Sequence, residues 1–257
     1  MTSSVIPDYE EYLDEALEIA ERASDIAYSY FRQALLIEMK ENQTPVTIAD
    51  RKAEESVREE LAKRFPNHGI LGEEFGEHKT DSEWVWTVDP IDGTRSFIRG
   101  IPLFGTLLGL MQKGVPVVGV MVLPALDEVY YAAKGFGCFC NDYQVHVSNT
   151  KVLESALVSI GDVPCFESAG YRRQLDTLAK SAELIRGYTD CFGHSLVLRG
   201  AIDAMVDPIV SPWDVAPLAC LITEAGGDYF TFEGEKTHMG KSFISCTPAL
   251  RDALIKL

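Results

Sequence analysis

Between residues 12 and 35 the apolar side chains Leu13, Ala16, Leu17, Ala20, Ala23, Ala27, Phe31 and Leu35 recur at helical spacing. They fall on one stripe with polar residues between them, which predicts a long amphipathic helix over 12–35. A second stripe, Ala53, Val57, Leu61 and Phe65, predicts a helix over about 50–65 that Pro66 ends. The polar segment 40–45 between them reads as a loop. After Trp84 the period changes to strand-like runs over 84–91, 104–112, 115–123 and 128–133. Turn signals at Gly114-Val115-Pro116 and Pro124-Ala125-Leu126-Asp127 make these an antiparallel meander. Beyond residue 150 the elements alternate. Strands are predicted over 156–161, 183–189, 204–208, 228–232 and 243–247, and helices over 171–181, 193–200, 213–225 and 248–256. Strands separated by helices predict a second layer of α/β type. The chain thus divides into an α+β part, 1–150, and an α/β part, 151–257. No linker-like tract separates them, so they are expected to form one compact unit.

Composition narrows the function classes. A chain of 257 residues with 46% hydrophobic and 24% charged positions is an ordinary globular protein, not a disordered or collagen-like one. Its 23 basic and 39 acidic residues leave a net charge of −16. Such a chain will not hold a nucleic-acid backbone by counterion release, and anionic membrane surfaces repel it. An anionic ligand would therefore have to be neutralised by something other than surface lysine. The six cysteines form no CxxC pair and sit mostly among apolar neighbours, as reduced core residues of a cytosolic protein do. The N-terminal stretch is acidic, without the basic region and apolar core of a signal peptide, and no apolar run approaches the ~20 residues that span a bilayer. A soluble, cytoplasmic protein is expected.

Carboxylates carry the candidate chemistry. In Trp86-Thr87-Val88-Asp89-Pro90-Ile91-Asp92-Gly93-Thr94 an apolar strand runs straight into two aspartates. Pro90 stiffens the strand exit and removes a backbone donor, while Gly93 permits a tight turn that places Thr94 beside both acids. Carboxylates held this close repel unless a cation lies between them, and hard divalent ions such as magnesium take oxygen ligands of this kind. Turn chemistry accounts for Asp92-Gly93 but not for the second acid, Asp89. Glu73-Glu74 reads either as a further ligand pair or as a solvated pair before a charged loop. Asp214 lies at a helix start, where capping is an equally good explanation. Asp50 ends a Thr47-Ile48-Ala49-Asp50 segment that resembles a capping box with Asp in the Glu position. Lys40 is a lone cation in an acidic region. The five histidines show neither HxxxH nor HxH spacing, which argues against zinc.

Three motifs together carry a resemblance. Gly72-Glu73-Glu74, the Asp89-to-Thr94 turn with Phe97 beyond it, and Trp213-Asp214 with its Glu224-Ala225-Gly226-Gly227 terminus resemble the inositol monophosphatase family in order and spacing. The likeness extends from the loop around Lys40 to the last strand. It implies a layered αβαβα sandwich (α+β / α/β), usually a homodimer, with two to three Mg2+ ions per subunit and sensitivity to lithium. The implied activity is a phosphomonoesterase in which water attacks directly and no phosphoenzyme forms. Carried over residue by residue, the resemblance makes Glu73, Asp89 and the Ile91 carbonyl ligands of one ion. It assigns a second to Asp89, Asp92 and Asp214, and a third, weaker one partly to Glu73. The backbone N–H groups of Gly93 and Thr94 would meet the phosphate, and Asp50 with Thr94 would orient the attacking water.

The resemblance implies a small phosphate ester as substrate. Asp207 stands where inositol monophosphatases carry a glutamate, and its flanks, Asp207-Pro208 and Ser211-Pro212-Trp213-Asp214, look like the histidinol-phosphate phosphatase branch. So do Thr189-Asp190-Cys191-Phe192-Gly193 and Arg95-Ser96-Phe97-Ile98-Arg99-Gly100. Carboxylates at 190 and 207 suit the ammonium and imidazole of L-histidinol phosphate. An inositol or broader sugar phosphatase is the alternative within enzymes, and a catalytically silent metal-binding scaffold the alternative outside them. Asp190 as a helix cap and Asp207 as a plain strand end are the blander readings of those two residues.

Overall fold

Helix α1 (Tyr9–Ser29) buries Leu13, Ala16, Ile19, Ala20, Ala23 and Ala27, the stripe its spacing requires. It ends earlier than predicted. Tyr30 and Phe31 donate to the carbonyls three residues back, and Arg32 takes a left-handed φ of 60°, which an α-helix cannot continue through. Phe31 and Leu35 nonetheless pack on the same core from the turn beyond, which is why the apolar spacing continues past the helix. The computed structural model describes residues 9–40 and 44–257. Residues 1–8 of the acidic N-terminal stretch and 41–43 of the predicted loop lie outside the described residues.

A short ribbon, β1 (Glu38–Met39) and β2 (Pro45–Val46), precedes α2 (Ile48–Arg64). Next come β3 (Gly69–Gly72), β4 (Gly76–His78), β5 (Trp84–Asp92) and the single turn α3 (Thr94–Phe97). The meander follows as β6 (Gly105–Gln112), β7 (Val115–Leu123), β8 (Glu128–Ala133), β9 (Gly137–Cys140) and β10 (Tyr143–Gln144). These strands form one eight-stranded sheet in the order β10-β9-β8-β7-β6-β5-β3-β4. It is antiparallel throughout the meander, as predicted, but β3 runs parallel to β5. The strands of this sheet that were not predicted, β3, β4, β9 and β10, have only two to four residues each, too few to carry a period.

The rest of the chain supplies β11 (Leu157–Ile160), α4 (Val163–Ser168), α5 (Arg172–Ser181), β12 (Leu184–Arg186) and α6 (Asp190–Leu198). Then come β13 (Ala204–Asp207), α7 (Pro212–Glu224), β14 (Asp228–Phe230) and β15 (Phe243–Cys246). The predicted closing helix is split into a 3-10 turn, Pro248–Leu250, and α8 (Arg251–Leu254). Helix α6 starts at Asp190, three residues ahead of its predicted start at 193. The second sheet has the order β12-β11-β13-β15-β14, parallel around β11 and antiparallel around β15.

Among the described residues three large apolar cores stack these layers, beside a small cluster of Val85, Met111 and Ala216 between the large sheet and α7. One lies between α1, α2 and the large sheet; a second joins that sheet to α6 and α7 and on to β13 and β15; a third seals the small sheet under α4, α5 and α8. The order is helix, sheet, helix, sheet, helix. Helix α7 approaches the backbone of the large sheet closely where glycines face it. A Cβ on Gly119 would lie 2.3 Å from the Pro217 carbonyl oxygen, and one on Gly109, its cross-strand partner, 3.0 Å from Pro217 N. Four of the six cysteines are buried and all six are free thiols. Among the described residues no helix is long and apolar enough to cross a membrane.

Candidate active site

The site is built at the end of β5. Pairing with β6 runs in register to Asp89↔Leu107 and then resumes at Asp92↔Gly105, so one extra residue bulges out between them. Pro90 lies in that bulge, where a missing N–H costs the ladder nothing, and its carbonyl accepts from Thr106 Oγ1 at 2.8 Å. Asp89, 2% exposed, accepts from the Ile91 N–H at 3.0 Å. Asp92 Oδ2 accepts from the Cys191 N–H at 2.5 Å, in the first turn of α6. Gly93 turns the chain with φ 85°, and a Cβ there would press to 2.9 Å on the Leu103 carbonyl. The single Thr94 hydroxyl proton has two acceptors, Ile91 O at 2.9 Å and Asp50 Oδ1 at 3.4 Å. Asp50 itself is buried in the first turn of α2, where its Oδ2 accepts from both the N–H and the hydroxyl of Thr47. The capping box is real, and it leaves the other carboxylate oxygen for Thr94.

Glu73 follows β3. Lys40 Nζ bridges Glu73 Oε1 at 2.7 Å and Glu74 Oε1 at 2.6 Å, so this lysine is not a solvated surface cation. The turn is held from below by Glu54, which is fully buried. Its carboxylate accepts from Glu74 N at 2.7 Å, Phe75 N at 3.2 Å and Arg58 Nε at 2.8 Å, while Arg58 also reaches the Gly76 carbonyl. Gly72 is required beside it, because a Cβ would fall 2.0 Å from Glu54 Oε1. Sequence reading missed Glu54, since an i,i+4 Glu–Arg pair on a helix looks like a surface pair. Glu54→Ala is expected to lower stability by about 3 kcal/mol, because a buried ionic hydrogen-bonding centre is lost. An unchanged urea midpoint would contradict that.

Asp214 comes from the first turn of α7, where its Oδ2 accepts from the Ser211 N–H at 2.8 Å. It is the third helical residue, with Ser211 as the N-cap, so it closes a capping box rather than being the cap itself.

These elements meet in one cleft of about 290 Å3. Lys40, Glu73, Asp89, Ile91, Asp92, Gly93, Thr94, Asp190 and Asp214 all line it, with Arg95, Ser211 and Trp213 completing the wall. Asp50 lies behind Thr94, outside the lining. A smaller pocket of about 70 Å3 shares Asp92, Asp190 and Asp214 with the cleft and adds His194 and Asp207. Asp190 is the first residue of α6, with a left-handed φ of 57°, and accepts from Thr189 Oγ1 at 2.9 Å. Thr189, not Asp190, occupies the cap position.

Crowding of like charge out of water marks the cleft. Burial, then repulsion from Glu73, Asp92 and Asp214, pushes Asp89 well above the usual carboxylate range. Asp92 is raised likewise by burial and by Asp190 and Asp214. Burial with the charge of Glu73 lifts Asp214 to about 7, and burial with the charge of Asp207 lifts Asp190 to about 7. Glu74 also reaches about 7 through burial, despite Lys40. Burial opposes the charge of Lys40, but Glu73 and Glu74 outweigh it and raise its pKa. Among the described residues no three acidic, histidine or cysteine side chains already stand as a closed coordination shell. The donor set is nonetheless all oxygen, several carboxylates and the Ile91 carbonyl, which suits a hard divalent cation and not zinc or copper.

Comparison with known proteins agrees with this donor chemistry. The model of the inositol monophosphatase family matches residues 8–257. The chain belongs to that family. As a member of the inositol monophosphatase family it is a metal-dependent phosphoric monoester hydrolase, and the family's enzymes depend on magnesium. A histidinol-phosphatase of Chlorobaculum parvum is 40% identical, with 95% of each chain covered. The histidinol-phosphatase of Mycobacterium tuberculosis is 37% identical over 93% of this chain and 95% of its own. The extragenic suppressor protein suhB of Bartonella henselae superposes with a TM-score of 0.89 at 29% identity, covering 96% of this chain and 97% of that one. The layered α/β sandwich is therefore the family's fold.

Proposed function

We propose that this family member hydrolyses L-histidinol phosphate to L-histidinol and phosphate. The observation that carries the reading is the acidic side pocket, where Asp190 and Asp207 adjoin the carboxylate cleft. A cationic leaving group carrying an ammonium and an imidazole would find two carboxylates there, whereas a ring of neutral hydroxyls gains little from a second negative charge. The identity to two histidinol-phosphatases supports it.

In this reading Glu73, Asp89 and the Ile91 carbonyl hold one magnesium ion, Asp89, Asp92 and Asp214 a second, and Glu73 shares in a weaker third. When bound, magnesium offsets the charge of the phosphate dianion, lowers the pKa of water and stabilises the leaving alkoxide. The chain does the rest. Gly93 and Thr94 present backbone N–H groups to the phosphate at a turn that excludes a side chain. Thr94 and Asp50 orient the attacking water: if the Ile91 carbonyl is engaged elsewhere, Asp50 is left as the acceptor for the Thr94 proton. The Thr94 oxygen is then free to accept from water. Attack is direct, with no phosphoenzyme. Lithium sensitivity and a homodimer belong to the same reading.

The test compares kcat/KM for L-histidinol phosphate and myo-inositol 1-phosphate in the wild type, Asp190→Asn and Asp207→Asn. Each variant is expected to lose roughly 10- to 150-fold on histidinol phosphate, the worth of a charged hydrogen bond. A wild type that prefers inositol phosphate would end the assignment.

A further inference from the structure

His194 of α6 was not singled out by any sequence motif, yet it joins three elements beneath the side pocket. The imidazole is 1% exposed. Its Nε2 lies 3.1 Å from Asp207 Oδ2 at the end of β13, and its Nδ1 lies 2.8 Å from Ser245 Oγ on β15. Antiparallel pairing sets Met205 opposite Ser245 and Asp207 opposite Phe243, so the partners of the ring stand two rungs apart, on the same face of one sheet. Phe243 meets the ring edge to face, with centroids 5.3 Å apart.

The donor and acceptor roles follow from the partners. An ionised carboxylate only accepts, so Nε2 carries the proton, and Nδ1 accepts from the Ser245 hydroxyl. Asp207 thus selects the tautomer, and the hydroxyl of Ser245, fully buried, anchors the ring at Nδ1. The other carboxylate oxygen is confined as well: a Cβ on Gly161 would come within 2.1 Å of Asp207 Oδ1. Left free, an aspartate side chain rotates about two bonds and presents its charge in several directions. Here the imidazole on one side and the Gly161 backbone on the other hold it in one.

We infer that His194, anchored at Nδ1 by Ser245, is a positioning residue for substrate selection: it holds the Asp207 carboxylate aimed into the side pocket for a cationic leaving group. The inference rests on the histidinol-phosphate reading above. A histidine that merely fills the core would, when replaced, disturb every substrate alike. A positioning histidine affects only the substrate whose cation Asp207 meets.

The experiment measures kcat and KM separately for L-histidinol phosphate and for p-nitrophenyl phosphate, which carries no cation. His194→Phe keeps an aromatic ring against Phe243 and removes both hydrogen bonds. His194→Gln keeps an amide able to donate to Asp207, and Ser245→Ala removes only the anchor at Nδ1. His194→Phe is expected to raise KM for histidinol phosphate about tenfold with little change in kcat, the lower range for a hydrogen bond to a charged group. Its kcat/KM on p-nitrophenyl phosphate should stay within about twofold, the signature of lost ground-state binding rather than lost chemistry. His194→Gln should recover most of the KM, and Ser245→Ala should fall between. Equal losses on both substrates, or no change on histidinol phosphate in a wild type that prefers it, would overturn the inference alone. If His194→Phe does not fold, a KM for Ser245→Ala equal to that of the wild type overturns it. A wild type preferring inositol phosphate would overturn the underlying reading as well.

Discussion

Asp89→Asn is expected to lower phosphatase activity by about 100-fold or more at saturating magnesium, the scale of losing one group that stabilises a transition state. The amide keeps the shape of the side chain and can still accept from the Ile91 N–H at 3.0 Å. What it removes is the charge of a carboxylate that would face two ions. The same change should leave the chelated protein at least as stable as the wild type near neutral pH, because Asp89 is buried against Glu73, Asp92 and Asp214. Activity and stability therefore move in opposite directions. A variant that is both active and stable removes the two-ion site, whereas one that merely unfolds removes the repulsion argument. Asp214→Asn gives the parallel contrast with capping, since a lost helix cap costs only about 1 kcal/mol and no chemistry.

Thermal stability should depend on pH in a direction that magnesium reverses. Asp214 and Asp190 are lifted to about 7, chiefly by burial. In the unfolded chain aspartate titrates near about 3.9. An acid whose folded pKa is raised contributes stability that is full below the unfolded pKa and is lost as pH rises through the folded one. In the presence of chelator, Tm should thus fall by about 5 °C or more between about pH 5 and pH 8. Magnesium binds the ionised carboxylates, so excess magnesium should raise Tm by about 5–10 °C at the upper end and much less at the lower, where protons compete. A flat profile in chelator, or a Tm indifferent to magnesium at about pH 8, would contradict the crowded-carboxylate picture.

Much of this layout was legible from residue order because a strong period or a rigid turn announced it. The meander from Trp84 to Ala133 has long alternating runs, and Pro90 and Gly93 mark where β5 must release its acids. The short strands had no such signal. Gly69–Gly72 places Glu73 in the cleft, yet four residues, two of them glycines, are too few to show an alternation. The premature end of α1 was hidden because Phe31 and Leu35 keep contact with the same core after the backbone has left the helix. The supports of the cleft were the least legible. Glu54 and His194 act through contacts with residues 20 and 13 positions away, and no local pattern distinguishes them from an exposed pair or a core imidazole. Lys40 stood out by charge alone and Asp207 by the family resemblance, while their partners became visible only once the layers were stacked.

The facing glycines of β6 and β7 give the large sheet a second duty, that of a gauge. The height at which α7 rests on them sets how far Asp214 reaches toward the acids of β5, because the helix carries that side chain in its first turn. A single methyl group at position 119, deep in a strand and outside the cleft lining, would have to lift the whole helix to be accommodated. Sensitivity to substitution accordingly extends to positions that bear on α7 and is not set by nearness to the cleft alone. A survey of variants ranked by distance from the carboxylates would misplace such positions, recording as remote the sites on which the dimensions of the cage depend.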